Sequence, residues 1–259
     1  MSKRNRILIS LGSVVIVGGV YLWLFGVQTF FAIYSRKIGR DVPIVKSAPV
    51  ELRDLGVSQA RGETLGFSGV EFEVPWSDVD EKKSRVVGGW ALITFRSGSS
   101  IILCVTSPKD FMNDMFRNKI ARPELFTGLY GPAVLQSDYA LTKAIFETTP
   151  SKINLLTPAN EAAGLSSVLT MKAVMPPTTD WAIYSIQSKN FKGFQLGDPW
   201  RRPKKMSIEL YGDDVEIEIN VEQITTGPTP AITQAEMNRI IQSAHTTANA
   251  RPVLTFTPG

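Results

Sequence analysis

The longest apolar stretch of the chain lies near its start. No charged residue occurs from Ile7 to Ser35, and twelve of the first twenty of these residues are Ile, Leu, Val or Phe. At about 1.5 Å per residue, twenty helical residues span about 30 Å, the thickness of a bilayer's hydrocarbon core. Aromatic residues crowd the second half, where their rings can reach the headgroup layer. The pattern predicts a transmembrane helix over residues 7–34.

Basic residues flank this stretch on both sides, in the tail 1–6 and directly after the apolar run. They are Lys3, Arg4, Arg6, Arg36, Lys37 and Arg40. The run lacks the small-residue cleavage site of a signal peptide, and the one cysteine, Cys104, is too distant for a lipoprotein. Its length and basic flanks argue against a buried core helix. We therefore expect an uncleaved, single-pass signal anchor that binds the lipid bilayer, with the following domain on the non-cytoplasmic side of a cell envelope.

A polar connector over residues 35–68 precedes a region in which strand and helix patterns alternate. Strict alternation of apolar and polar residues predicts a strand over 70–74, and further apolar runs predict strands over 90–95, 101–105, 181–186, 191–196, 206–211 and 215–221. Helix starts are predicted at Ser107-Pro108, Ser137, Thr157-Pro158 and the capping box that begins at Thr233. Residues 69–259 are thus expected to form one α+β domain, with a mainly antiparallel sheet and helices packed on one face. This element order is similar to that of Mog1/PsbP-type sandwiches, although no motif carries the resemblance.

The charge of the chain is unevenly distributed. Its 259 residues include 28 Lys and Arg and 24 Asp and Glu, a formal net charge of +4. Six of the basic residues precede the first acid, Asp41, so that 22 basic residues remain against 24 acidic ones from there on. A nucleic-acid-binding domain would be basic, and this excess of acid argues against such a partner. With one cysteine and one histidine, no thiolate or histidine metal cage can form, and we expect no cofactor.

The sequence Tyr211-Gly212-Asp213-Asp214 predicts a tight turn between two strands. A two-residue loop of Gly212 and Asp213 would pair Leu210 with Val215, and would put every apolar side chain of the hairpin on one face.

The other face of this hairpin would carry an acidic patch. The same register places Glu209 opposite Glu216, with Glu218 further along, and like charges directly opposite each other destabilise a sheet. One interpretation is a solvated face on which Lys204, Lys205 or another basic side chain relieves the repulsion. The other is a patch that binds a cation or a basic partner.

A basic, aromatic loop precedes the hairpin. It contains Trp200, Arg201, Arg202, Lys204 and Lys205. Cationic groups beside an aromatic ring suit an acidic protein partner or anionic lipid headgroups. The alternative is an exposed loop whose charges only keep the domain soluble.

No nucleophile motif is complete. Gly66-Phe67-Ser68-Gly69-Val70 lacks the last glycine of a nucleophile elbow and precedes a strand rather than a helix. The sequence therefore favours a non-catalytic binding or assembly module over an enzyme. The alternative is a membrane-tethered, carboxylate-dependent hydrolase, for which Glu71, Glu73 and the Glu209–Glu216 face are the candidate acids and bases.

Overall fold

The protein combines six α-helices and eleven strands in its described part. A computed structural model describes residues 3–52, 56, 62–175, 182–201, 204–223 and 232–247, and the side chains of these residues except 3–17, 23 and 223. The helices are α1 (Lys3–Asp41), α2 (Asp110–Arg117), α3 (Pro123–Tyr130), α4 (Asp138–Glu147), α5 (Ala159–Val174) and α6 (Gln234–Ser243). The strands are β1 (Val50–Glu51), β2 (Glu63–Phe67), β3 (Val70–Val74), β4 (Arg85–Val87), β5 (Trp90–Thr94), β6 (Ser99–Thr106), β7 (Ile183–Gln187), β8 (Lys192–Leu196), β9 (Lys205–Tyr211), β10 (Glu216–Gln223) and β11 (His245–Thr246).

Most strands belong to one eight-stranded sheet with the order β1-β7-β8-β9-β10-β6-β5-β4. Its pairs are antiparallel except for β1 with β7, which is parallel. A second sheet has the order β11-β3-β2. The predicted α+β class and the mainly antiparallel sheet are confirmed.

Both faces of the large sheet are covered, although the sequence predicted helices on one face. Helices α1 to α5 form one core with Phe194 and Leu196 of β8. Helix α6 and the small sheet form the other core with Ile208 and Ile219. The second layer was missed because β2, which pairs with β3, falls within the predicted connector.

The hairpin of β9 and β10 has the predicted faces but a different register. Leu210 pairs with Ile217, and Glu209 pairs with Glu218 instead of Glu216. The turn is longer by two residues, because Gly212 N–H donates to the carbonyl of Val215 at 2.9 Å. A shift of two preserves the alternation, so the acidic residues still share one face.

Two of the four predicted helix starts are confirmed, because each has the side-chain N-cap that the sequence predicted. Ser137 Oγ accepts from Ala140 N–H at 3.2 Å, and Thr233 forms its capping box with Glu236. Helix α5 begins after Pro158 as predicted. The prediction of Ser107 as an N-cap is wrong, because α2 begins at Asp110 and distant carboxylates take its first N–H groups, as described below.

Helix α1 continues past the apolar stretch and docks on the domain. Ser35, where the connector was predicted to begin, is fully buried, and its Oγ lies 2.9 Å from Ser166 Oγ of α5. Ala32 is also buried in this contact. The last turns of α1 are therefore part of the folded domain.

A buried lysine holds the segment after α1 in place. Lys172 Nζ of α5 donates to the carbonyl oxygens of Ser47, Phe146 and Thr148, at 2.5, 2.5 and 2.9 Å. Three acceptors match the three N–H groups of an ammonium. Burial, and secondarily the charge of Lys152, lower the pKa of Lys172 to about 7.

Where side chains are described, none of the helices is sufficiently long and apolar to pass through a membrane. The first part of the apolar stretch, residues 7–17, is described for its backbone but not for its side chains.

Candidate functional site

An acidic cleft of about 360 Å³ lies between α2 and the hairpin of β9 and β10. We call it the acidic cleft. Its polar lining is Thr106, Asp110, Asp114, Thr142, Glu209, Tyr211, Glu216 and Glu218. The three acids of the predicted patch, Glu209, Glu216 and Glu218, are thus brought together at one cleft.

The N-terminus of α2 is capped by two acids from other elements. Asp138, which is fully buried, accepts from Phe111 N–H at 2.9 Å and from Met112 N–H at 3.1 Å. The backbone of Lys109 donates to Glu216, which is also buried. Because the first N–H groups of a helix lack partners within it, these carboxyl groups complete its hydrogen bonding.

Asp138 and Glu216 share a hydrogen bond and a proton. Burial, and secondarily the adjacent Asp138 carboxylate, raise the pKa of Glu216 to about 8. Burial also raises the pKa of Asp138, while hydrogen bonds from Glu216 and from the α2 backbone act in the opposite direction. Since Asp138 accepts two backbone N–H groups, the proton resides on Glu216, which donates to Asp138.

Glu209 belongs to a second proton-carrying group in the cleft. Its Oε2 lies 2.9 Å from the hydroxyl of Tyr211, which in turn lies 3.1 Å from Thr142 Oγ1. Burial raises the pKa of Glu209 to about 7, with a smaller contribution from the charge of Glu218. Burial, followed by the charge of Glu209, raises the pKa of Tyr211. Near neutral pH, Glu209 therefore exists in both protonation states.

A cluster of aromatic rings packs around Tyr211, outside the lining of the acidic cleft. Tyr139 meets Tyr211 edge to face at 5.8 Å and stacks on Phe194 at 5.4 Å. Phe146 packs edge-on against Phe194 at 5.1 Å, and Lys192 Nζ lies 4.6 Å from the centre of the Tyr139 ring. This packing fixes the Tyr211 hydroxyl beside Glu209.

Neither Lys204 nor Lys205, the two lysines named as able to relieve the acidic repulsion, lines the acidic cleft. Lys205 forms an ion pair with Glu222, further along the hairpin. Glu218 is exposed and accepts from Asn220 Nδ2 at 2.7 Å. Repulsion between Glu209 and Glu218 is reduced when Glu209 is protonated, as its raised pKa allows. In the part of the chain that is described, no cluster of three His, Cys, Asp or Glu residues is arranged to hold a metal.

The predicted basic loop is only partly a free cationic surface. Trp200 is 71% exposed in the 3-10 turn Pro199–Arg201, and its backbone N–H donates to Asp198 Oδ1 at 3.0 Å. Arg201 lies 3.7 Å from Asp198, and Lys205 is paired as described above. Lys204 is exposed, whereas Arg202 lies outside the described residues.

The two acids of β3 do not join the acidic cleft. Glu73 forms a 2.6 Å ion pair with Arg239 of α6, and Glu71 lies 3.7 Å from His245. Strand β3 belongs to the layer on the opposite face of the large sheet from the acidic cleft. Of the candidate acids of the hydrolase alternative, Glu71 and Glu73 therefore do not converge with Glu209 and Glu216.

Sequence reasoning missed Asp138, Thr142 and Tyr211 as members of the site. In the sequence, Asp138 has the position of an ordinary acid in the first turn of a helix, directly after the Ser137 cap. Tyr211 has the position of a strand residue that precedes a turn. One signal was available: Tyr211 shares the alternating polar face of Glu209. No corresponding local signal links Asp138 to β10.

Comparison with known proteins returned no match, whether with family models, with curated proteins or with solved structures.

Proposed function

We propose that this chain is a single-pass, membrane-anchored protein whose α+β domain is a non-catalytic binding or assembly module on the non-cytoplasmic side of a cell envelope. The observation that carries the proposal is the exposed apolar surface of α1 beside the folded domain. Large apolar side chains on it are half to two-thirds exposed: Val20, Leu22, Leu24, Val27, Phe30 and Ile33. A contiguous apolar surface of this kind is typical of a membrane or protein contact.

Two features favour a membrane over a protein as the cover of α1. The uncharged run extends over 29 residues, and the helix continues through it from Lys3 to Asp41. The twelve Ile, Leu, Val and Phe residues in the first twenty positions of this uncharged run favour insertion of the helix into a bilayer by about 4–7 kcal/mol. Because the last turns of α1 are docked on α5, the domain would sit directly on the bilayer surface.

Internal hydrogen bonds support a binding rather than a catalytic module. Glu216 and Asp138 bond to each other and to α2, and Glu209 bonds to Tyr211. These acids stabilise the domain itself. Trp200, at 71% exposure, is instead available to a partner protein.

Carbonate extraction of membranes that contain the full chain tests the anchor. We expect the wild-type chain and a Val17→Ala/Leu24→Ala variant to stay in the membrane pellet. Val17→Lys/Leu24→Lys should release the chain, because two central lysines cost about 5–7 kcal/mol of insertion energy. Release of the wild-type chain would refute the anchor.

Site-specific crosslinking in the same membranes tests the binding module. A photo-crosslinking residue at Trp200 should give one discrete product. The same residue at Lys82, which is exposed on the loop before β4, provides the matched control. Identical products from both positions, or none from Trp200, would contradict a partner surface there.

One specific observation favours the second candidate function, a membrane-tethered carboxylate-dependent hydrolase. The acidic cleft contains two acids, Glu209 and Glu216, whose pKa values of about 7 and 8 suit proton transfer at neutral pH. A panel of fluorogenic glycosides tests this function. Turnover by the wild-type chain that falls at least about 100-fold in folded Glu209→Gln and Glu216→Gln variants would support it. Equal signals from all three proteins would exclude it for this panel.

A further inference from the structure

A second cleft lies where α1 meets the domain, and it is basic. It has a volume of about 770 Å³ and is lined by Ile33, Arg36, Lys37, Arg40, Lys46, Thr149, Pro150 and Ser151. We call it the basic cleft. Four of its eight lining residues are cationic, and none is acidic.

The helix repeat explains how these cations meet. Ile33, Arg36, Lys37 and Arg40 are spaced as neighbours on one face of α1. The adjacent face carries Ser35, which is buried against α5. Docking of one face therefore fixes the direction in which the basic face points.

Gly39 lets the other side of the cleft approach. A Cβ atom at this position would lie 3.1 Å from Lys46 Cγ and 3.1 Å from Pro150 Cγ. The stem of Lys46 and the ring of Pro150 thus pack directly on the α1 backbone. This contact brings the fourth cation and the hydroxyl-bearing residues Thr149 and Ser151 to the same cleft.

The charges of the basic cleft are largely uncompensated by the described residues. Arg40 lies 3.7 Å from Asp41, an exposed and therefore weak ion pair. Arg36, Lys37 and Lys46 are exposed and have no acid within ion-pair distance in the described part of the chain. An excess of positive charge in a concave site attracts anions.

We propose that the basic cleft binds the phosphate group of an anionic lipid. The inference rests on the membrane anchor proposed above, which would hold the cleft at the headgroup layer. Arg36 and Arg40 can each offer two N–H donors to one phosphate, and Lys37 and Lys46 add compact charges. Ile33, which is 62% exposed and lies in the apolar stretch one turn before Arg36 and Lys37, provides a surface for the first part of an acyl chain.

Native mass spectrometry of the full chain in a neutral detergent tests the site, with phosphatidylglycerol, phosphatidylcholine and inorganic phosphate as separate probes. The cleft variant is Arg36→Gln/Lys37→Gln/Lys46→Gln. Its matched control, Lys82→Gln/Arg122→Gln/Lys189→Gln, removes the same charges from exposed positions elsewhere. We expect phosphatidylglycerol to bind roughly tenfold more tightly than phosphatidylcholine, and the cleft variant, unlike the control, to lose this preference.

Three outcomes would overturn the proposal. Equal binding of both lipids means that the cleft does not recognise the headgroup charge. Equal loss in both triple variants means that only net charge matters. Binding of inorganic phosphate as tightly as phosphatidylglycerol means that the ligand is a free anion. Carbonate extraction separates these results from failure of the anchor. If the chain stays in the membrane pellet but shows no lipid preference in mass spectrometry, the lipid site is refuted and the anchor is not.

Discussion

In the acidic cleft the charged groups face one another and the backbone of their own chain, whereas in the basic cleft they face solvent. Asp138 and Glu216 are buried and hydrogen-bonded to α2, while Arg36 and Lys37 project from an exposed helix face. Removal of a buried, paired acid lowers the free energy of unfolding. Removal of an exposed, unpaired cation instead weakens the attraction of the surface for anions. The two clefts should therefore respond to mutation in different measurements.

Replacement of Asp138 should have the largest effect on stability. Asp138→Ala leaves two backbone N–H groups of α2 and the carboxyl of Glu216 without their partner, and we expect a loss of about 3–5 kcal/mol in the free energy of unfolding. Urea unfolding of the full chain in a mild detergent measures it. Asp114→Ala serves as the control, since this acid is exposed and, among the described residues, its carboxylate forms an ion pair with Arg117 alone. Equal effects of the two variants would mean that the buried acid does not hold α2.

The proton on Glu216 predicts that stability depends on pH. Its folded pKa of about 8 lies above its ordinary value, so its contribution is complete below about pH 4.5 and is lost as the pH rises through 8. Glu209, with a pKa of about 7, acts in the same direction. Asp138 and Asp110 also face Glu216 and strengthen the effect. The lowered pKa of Lys172 has the opposite effect, since it makes stability rise with pH above about pH 7. This contribution should be the same in the wild-type chain and in a Glu216→Gln variant.

Unfolding measured from pH 5 to pH 9 should therefore show wild-type stability falling by about 1–3 kcal/mol. Glu216→Gln should lose at least half of this slope, because an amide can still donate to Asp138 but cannot titrate. A slope unchanged in the variant would place the titrating group elsewhere.

Neutral substitutions in the basic cleft should have the smallest effect on folding. Arg36→Gln/Lys37→Gln/Lys46→Gln is expected to change the free energy of unfolding by less than about 0.5 kcal/mol, because exposed charges contribute little. The same urea unfolding experiment measures it. A loss above about 1 kcal/mol would show that these side chains hold α1 to the domain, and would remove the contrast between the clefts.

Features governed by local periodicity could be predicted from the sequence. Alternation gave the faces of β9 and β10, so Glu209, Glu216 and Glu218 were correctly assigned to one face. The register was wrong by two, because alternation is unchanged by an even shift and only the turn hydrogen bond at Gly212 distinguishes the two pairings. The caps at Ser137 and Thr233 were also readable, since each cap lies within one helical turn.

Features that depend on distant pairs could not be predicted. The cap of α2 comes from Asp138 on α4 and Glu216 on β10, and neither residue has a local pattern that names its partner. Lys172 is a partial exception. It follows the apolar positions Leu165, Val168 and Leu169 on the inner face of α5, so its burial was implied by the helix repeat, although its carbonyl partners were not.

The parallel pairing of β1 with β7 has a practical consequence for shortening the chain. Val50 and Glu51 cover one outer edge of the eight-stranded sheet, and the preceding Ile44 and Val45 are buried in the helical core. A truncation that begins at residue 62, chosen to discard the apolar helix, would uncover both the β7 backbone and this apolar surface. Uncovered edge strands template intermolecular pairing, so the shortened domain should aggregate. A cut at residue 30 would keep the docked turns, the buried pair and the edge cover.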